Sequence, residues 1–247
     1  MDLLAAIIPL AQSEPFVRDP EQAANACEQV NETVCLGWAW ENADRWVTPT
    51  LDHFLLVAIS VAAGFAIALG LALLSHRRRW LVPAFVGATG VIYTIPSIAL
   101  FLLLLPITGR GTVTALIALS LYTLQIIYRN IVTGLANVPQ ASKDAGRGMG
   151  MTERQLLWRV ELPLAVPEII AGLRIATVST VAIATLAFFA GAGGLGASIY
   201  NEGIQADVFK TGIVIPSAIA IVMAISFDFL YLGVQRLLSP WRTVRPI

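Results

Sequence analysis

The residues that could do covalent chemistry are few and stand far apart in this sequence. The chain of 247 residues has two histidines, His53 and His76, which lie at opposite ends of a long apolar run. No serine, cysteine or pair of carboxylates is placed to complete a nucleophile–base arrangement with either of them. Because such groups must lie within hydrogen-bond reach of one another, the sequence argues against an enzyme.

The two cysteines, Cys27 and Cys35, stand in a separate acidic segment at the start of the chain. If this segment is extracytoplasmic, oxidation is permitted and we expect a disulfide, with two free thiols as the alternative. No histidine accompanies the pair, so the segment does not have the composition of a zinc site.

Three glycines, Gly191, Gly193 and Gly196, match the spacing G-x-G-x-x-G. A dinucleotide site requires this spacing between a strand and a helix, whereas here a long apolar run precedes it. We therefore interpret the segment as a tight turn or gate, since glycine permits sharp backbone re-entry.

Two charges, Arg174 and Asp228, lie inside apolar runs, each roughly 10–15 Å from the nearer end at 1.5 Å per residue. Because an unpaired charge at such depth is expensive, we predict that the two side chains pair and hold their helices together. The alternative is that each reaches separately toward the membrane surface.

A path for a substrate is harder to predict. The rings of Tyr93, Phe188 and Phe189 could face a quaternary ammonium, or they could serve only as packing. The hydroxyl groups in these runs could line a polar route or bond their own helices. They belong to Thr94, Ser97, Thr177, Ser179, Thr180 and Thr185.

The elements that must position these residues are membrane helices. The chain is 57% hydrophobic and 13% charged, whereas about 25% charged residues is usual in a soluble domain. The apolar runs lack the period-two alternation of barrel strands and are too long for the buried helices of a soluble core. We predict five spans, at about 53–74, 82–107 (interrupted by Pro96), 112–132, 165–190 and 211–235.

Basic residues orient these spans, because cytoplasmic loops carry an excess of Lys and Arg. With the N-terminus outside, the inside holds eleven bases and the outside four. The sequence therefore predicts an outer acidic tail over residues 1–50, a transmembrane domain over 51–239 and a cytoplasmic tail over 240–247.

One cytoplasmic loop, at 139–163, is polar and cationic, and its last twenty residues read DAGRGMGMTERQLLWRVELP. Pro139 suits a helix start, and Thr152 with Gln155 predicts a capping box at the start of a second short helix. We expect that helix to end at Pro163. Gly146, Gly148 and Gly150, which precede this helix, predict a surface without side chains that another backbone could approach. Such a helix must pack on its own membrane domain or on a partner, and local sequence leaves both open.

The loop resembles the signature of bacterial ABC importer permeases, E-A-A-x3-G-x9-I-x-L-P. The residues at matching positions are Asp144, Ala145, Gly146, Gly150, Val160, Leu162 and Pro163. Asp144 replaces Glu, Gly146 replaces the second Ala and Val160 replaces Ile. The resemblance implies that these residues couple the chain to an ATPase, because in the family the segment is the coupling helix. The runs Tyr93–Leu105 and Phe189–Gly196 also resemble permeases for glycine betaine, choline and related amines.

The resemblance implies an all-α integral membrane protein with five transmembrane helices in a MetI-like permease fold. It implies a permease subunit of an ATP-driven importer in the bacterial inner membrane, carrying glycine betaine, choline, carnitine or a similar compatible solute. Alternatives are import of another small solute, such as an amino acid or ergothioneine, and a secondary transporter driven by an ion gradient.

The implied partners are ABC ATPase subunits, an extracytoplasmic substrate-binding protein, a second permease and membrane lipid, with no nucleic acid. We expect no cofactor or metal on this chain. No Walker-type phosphate loop occurs in the sequence, so ATP would bind to the partner ATPase.

Overall fold

The computed structural model describes residues 33–206 and 208–239, and regular secondary structure in these ranges is entirely helical. The α-helices are α1 (Leu36–Glu41), α2 (Val47–Arg77), α3 (Leu81–Thr94), α4 (Ser97–Thr108), α5 (Thr112–Ala136), α6 (Gln140–Gly148), α7 (Glu153–Leu156), α8 (Leu162–Ala184), α9 (Leu195–Ser198) and α10 (Lys210–Leu238). Two 3₁₀ segments cover Ala43–Trp46 and Ala187–Ala190, and two π segments cover Leu157–Glu161 and Ile199–Ile204.

Within residues 33–206 and 208–239, four continuous helical stretches are long and apolar enough to cross a membrane. They are Ala43–Arg77, Thr112–Ala136, Glu153–Ala184 and Lys210–Leu238. The shortest has 25 residues, and its length of about 37 Å exceeds the roughly 30 Å of hydrocarbon in a bilayer. These stretches correspond to the first, third, fourth and fifth predicted spans, and the expected all-α membrane fold is confirmed.

The second predicted span is broken rather than straight. Helices α3 and α4 meet at an angle of 97°, and neither is long enough alone to cross a bilayer. The break has a local cause: Ile95 precedes Pro96 and adopts an extended conformation with ψ 128°, which a following proline favours. The hydroxyl of Tyr122 in α5 donates to the carbonyl of Ile95, so the freed backbone group is satisfied inside the protein.

Helix α5 lies at the centre of the bundle, between α2 and α8. Ala118, Leu119, Ile127 and Ile131 are fully buried along it. Small residues let the neighbouring helices approach closely, as membrane helix pairs require. At Gly172 in α8, for example, a Cβ would lie only 2.4 Å from Cβ of Asn130 in α5.

The segment before α2 is folded onto the bundle, and α2 itself begins four residues before the expected boundary at residue 51. Pro49 falls in the first turn of α2, where proline is tolerated. Trp38 packs edge-on against Trp46 and Phe209, with ring centroids 6.1 and 5.0 Å away. This aromatic cluster ties the preceding segment to the start of α10. Most of the expected outer tail, residues 1–32, and the C-terminal tail 240–247 lie outside the described residues.

Candidate functional site

The polar loop at 139–163 contains two short helices, α6 and α7, joined by a tight turn, and is named the α6–α7 loop. Helix α6 starts directly after Pro139 and ends in a Schellman turn. The N–H of Met151 donates to the carbonyl of Gly146 at 3.1 Å, and that of Gly150 to Arg147 at 2.9 Å. Gly150 has φ +78°, a conformation that side-chain-bearing residues rarely adopt. The glycine of the signature is therefore required by the turn itself.

The predicted capping box forms at the next helix start. The backbone N–H of Gln155 donates to the Thr152 hydroxyl at 3.3 Å, and the Gln155 side chain accepts from the Thr152 N–H at 2.9 Å. Both groups would otherwise be orphan donors at the helix start.

The helix does not end at Pro163, so that prediction is wrong. Pro163 lies in the first turn of α8, and the helical stretch continues through the π segment to Ala184. In the π segment the N–H of Leu162 donates to the carbonyl of Leu157, five residues earlier. This five-residue hydrogen bond shifts the register just before Pro163, which has no N–H to donate. The helix therefore continues past the proline without a break.

Gly146 is buried, which corrects the expectation that all three glycines form a bare surface. A Cβ at Gly146 would lie 2.6 Å from Cδ1 of Leu156 and 3.7 Å from Cγ2 of Val160. Because Gly146 has no side chain, the Leu156 side chain can pack directly against the backbone of α6. Gly148 and Gly150 do face open space.

Charged side chains bind α6 to α7 on the exposed side of the loop. Arg147 contacts Asp144 at 3.5 Å and Glu153 at 3.0 Å. Gln140 donates to the same Asp144 carboxylate at 2.8 Å. The hydrogen bond to Glu153 raises the pKa of Arg147 above its ordinary value. These contacts orient the loop, although exposed ion pairs add little stability.

The signature residues divide between surface and interior. Asp144, Ala145 and Gly150 are exposed, whereas Gly146 is buried. Val160, Leu162 and Pro163 are half-buried in the π segment and the first turn of α8. Two exposed apolar side chains that the sequence argument missed, Met149 (71%) and Trp158 (53%), lie in the same loop.

Arg174 and Asp228 form a bidentate ion pair between α8 and α10. Nη2 of Arg174 lies 2.8 Å from Oδ2 of Asp228, and Nε contacts Oδ1. A second polar contact follows nearby, where the Thr177 hydroxyl lies 3.1 Å from the Tyr231 hydroxyl. The planar guanidinium fork matches a carboxylate, which fixes the orientation of the two helices.

Of the candidate path residues, Phe188 and Phe189 stack on each other, whereas Tyr93 packs elsewhere. Tyr93 packs edge-on against Tyr122, whereas Phe188 stacks between Phe189 and Tyr200. Most hydroxyls considered for a route bond a carbonyl of their own helix instead, as hydroxyls in membrane helices often do. This holds for Thr94, Thr177, Thr180 and Thr185. Ser97 and Ser179 are half-buried in α4 and α8.

The glycine-rich segment after α8 packs tightly against the bundle. A Cβ at Gly196 would lie 1.8 Å from the carbonyl oxygen of Thr185, and Gly191 has φ +83°. A 3₁₀ segment precedes these glycines where a dinucleotide site would need a strand. His53, which is fully buried, lies beneath Gly194 and contacts the carbonyl of Val181 at 3.1 Å.

Cys35 stands at the start of α1, where its N–H donates to the Thr211 hydroxyl at 3.0 Å. The residue has no free thiol. Cys27 lies outside the described residues, so the Cys27–Cys35 pairing stays a prediction.

Comparisons with known proteins agree with this arrangement. Residues 60–244 match the family described as binding-protein-dependent transport system inner membrane component. The osmoprotectant import permease protein OsmW of Salmonella typhimurium is 38% identical over 206 residues, covering 81% of this chain and 94% of that protein. The choline transport system permease protein OpuBD of Bacillus subtilis is 39% identical over 196 residues, covering 78% and 85%.

Solved structures support the same fold. The inward-facing MetNI methionine ABC transporter matches with a TM-score of 0.69 at 23% identity, covering 78% of this chain and 95% of that one. An amino acid ABC transporter with histidines matches with a TM-score of 0.70 at 20% identity, covering 83% and 99%. With its apolar helices, its glycine-capped loop and these relatives, the chain belongs to the binding-protein-dependent inner-membrane permease family and is the transport subunit of an ABC importer, with ATP hydrolysis on a separate subunit.

Proposed function

We propose that this permease imports an osmoprotectant of the quaternary-amine class, such as glycine betaine, choline or carnitine. The observation that carries the proposal is sequence identity to two permeases, each over 81% of this chain. The osmoprotectant permease OsmW is 38% identical, and the carnitine permease OpuCB of Listeria monocytogenes is 34% identical. The structural neighbours are too distant in sequence to bear on the substrate, so they support only the fold.

Coupling to the ATPase would run through the exposed side of the α6–α7 loop. Asp144, Ala145 and Gly150 would contact the ATPase directly, while Gly146, Val160 and Leu162 hold the two short helices together. Because α7 continues through the π segment into α8, a displacement of the loop would move this span as one piece. ATP binding can shift the transporter between inward and outward access only by favouring one state over the other.

Orientation follows from charge. The loop between α5 and α8 carries the basic excess, which favours a cytoplasmic position, and Arg77, Arg78 and Arg79 lie at the same end of the bundle. The N-terminus would then be extracytoplasmic, in the compartment where a substrate-binding protein delivers its ligand. The working complex would contain two permease subunits, either two copies of this chain or this chain with a sister permease.

Uptake by the reconstituted complex tests the proposal. The permease, its ATPase and its binding protein are placed in vesicles, and radiolabelled glycine betaine, choline, carnitine and ergothioneine are offered with and without ATP. We expect ATP-dependent uptake of at least one quaternary amine, unchanged when ionophores collapse the proton and sodium gradients. Uptake of an amino acid or ergothioneine alone would overturn the assigned substrate class. Uptake that follows an ion gradient without the ATPase would overturn the whole mechanism.

A further inference from the structure

A cavity of about 390 Å³ lies at the end of the bundle opposite the α6–α7 loop. Its wall includes Arg110, Phe188, Phe189, Tyr200 and Asn201. This volume is at the lower end of the range that small-molecule sites occupy, about 300–1,000 Å³. The wall combines aromatic rings with one positive charge.

The aromatic part of the wall is a stack of three rings. The ring of Phe188 lies 4.2 Å from that of Phe189 and 4.8 Å from that of Tyr200, with interplanar angles of 30° and 20°. Within the described part of the chain, no further ring covers the outer faces of Phe189 and Tyr200. The face of an aromatic ring attracts a cation, and a quaternary ammonium suits such a surface because it needs no hydrogen bonds.

The backbone on both sides of Arg110, the charged residue of the wall, fixes the position of this residue. Arg110 stands between Gly109 (φ +76°) and Gly111 (φ +136°), and the N–H of Gly111 donates to the carbonyl of Ala190 at 2.7 Å. Nε of Arg110 lies 3.4 Å from where a Cβ on Gly191 would be. Over residues 33–206 and 208–239, no carboxylate lies within ion-pair distance of this guanidinium. Its fork therefore remains available for a carboxylate from a ligand.

We propose that this cavity is a transit site for zwitterionic quaternary amines, with the ligand carboxylate on Arg110 and its ammonium on the outer face of the Tyr200 ring. The proposal rests on the function proposed above and narrows it. A zwitterion satisfies both walls, whereas a purely cationic amine such as choline meets the ring but is repelled by Arg110. The permease itself would then discriminate between two ligand classes, in addition to any selection by the binding protein.

Direct binding tests the site without the binding protein. The purified permease–ATPase complex in nanodiscs is titrated with radiolabelled glycine betaine and with choline. In Arg110→Gln we expect glycine betaine to bind at least tenfold more weakly and choline to bind equally or more tightly. Tyr200→Leu should weaken both ligands. Lys210→Gln removes a base at the same end of the bundle that does not line the cavity, and it should change neither.

Several outcomes would overturn the site. They are equal loss of both ligands in Arg110→Gln, no change in that variant, or no binding of glycine betaine by the unaltered complex. Misfolding is excluded if Arg110→Gln retains binding-protein-stimulated ATP hydrolysis.

The uptake assay separates the two proposals. If the unaltered transporter imports quaternary amines but its permease binds none, the transit site alone fails. If it imports none, the assigned substrate class fails.

Discussion

The guanidinium of Arg174 and the carboxylate of Asp228 form a two-point contact that joins α8 to α10 within the membrane-spanning part of the chain. Each charge would be costly alone in hydrocarbon, so the pair should stabilise the bundle mainly by preventing that cost. We expect Asp228→Asn to lower the unfolding temperature in detergent, because it leaves Arg174 without a counter-charge.

A double-mutant cycle separates pairing from independent solvation of the two charges. Arg174→Leu combined with Asp228→Leu should be less damaging than the sum of the single changes, measured by thermal unfolding in detergent. Additive losses would show that each side chain reaches the membrane surface separately and that their contact contributes nothing.

The crossing of α5 and α8 leaves no room for a side chain at Gly172. A Cβ there would lie 2.4 Å from Cβ of Asn130, an atom that cannot move without the backbone of α5. We expect Gly172→Ala to lower the free energy of unfolding by about 1–3 kcal/mol through overpacking, despite the gain in helix propensity. Gly70→Ala in α2 is the matched control, because a Cβ there meets nothing within 4 Å. Equal unfolding temperatures for the two variants would contradict the tight crossing.

The turn between α6 and α7 depends on the left-handed conformation of Gly150. We expect Gly150→Leu to strain the turn by about 1–2 kcal/mol and to displace α6 from α7. ATP hydrolysis should persist while uptake falls at least tenfold, which is loss of coupling with insertion intact. The measurement compares both rates in the same vesicle preparation.

Two further variants assign this effect to conformation rather than bulk. Gly150→Asn should retain much of the uptake, because asparagine tolerates a positive φ better than leucine does. Gly148→Leu adds the same bulk at an open position with ordinary backbone, so its uptake should fall less than that of Gly150→Leu. If both leucine variants lose uptake equally, the exposed surface matters and the turn does not.

Features with a local cause could be predicted from the sequence. The capping box at Thr152 follows from two side chains three residues apart. The long spans follow from apolar length, and Arg174 could be matched to Asp228 because both lie at similar depth. Each of these depends on spacing along one helix or on depth along the membrane normal.

Features that depend on packing could not be predicted. Pro163 is a helix-ending signal in isolation, yet the π segment before it changes the hydrogen-bond register and the helix continues. Pro96 predicted an interruption, but the 97° bend requires a partner for the freed Ile95 carbonyl, which Tyr122 supplies from another helix. The juxtaposition of Arg110 with Phe188 likewise joins segments nearly eighty residues apart.

Glu202 should make stability fall as the pH rises. It lies in the π segment before α10, and its Oε2 is buried with no hydrogen-bond partner among the described residues. Burial raises the pKa of this carboxyl above its ordinary value of 4.5, and the nearby charge of Arg45 offsets part of the rise. Between the ordinary and the raised pKa, the unfolded chain loses the proton while the folded protein keeps it. The unfolded state then binds fewer protons, so stability is full below about pH 4.5 and declines through this window.

Replacing Glu202 by glutamine removes this ionisation. We expect Glu202→Gln to unfold at a higher temperature than the unaltered protein at pH 7.5, with the difference shrinking toward pH 5. Thermal unfolding of the complex in detergent at several pH values measures this. Glu41→Gln, which removes an exposed carboxylate near the same end of the bundle, controls for net charge and should shift the unfolding temperature far less. A Glu202→Gln variant less stable than the unaltered protein at pH 7.5 would mean that the ionised carboxylate stabilises the fold, contrary to its burial.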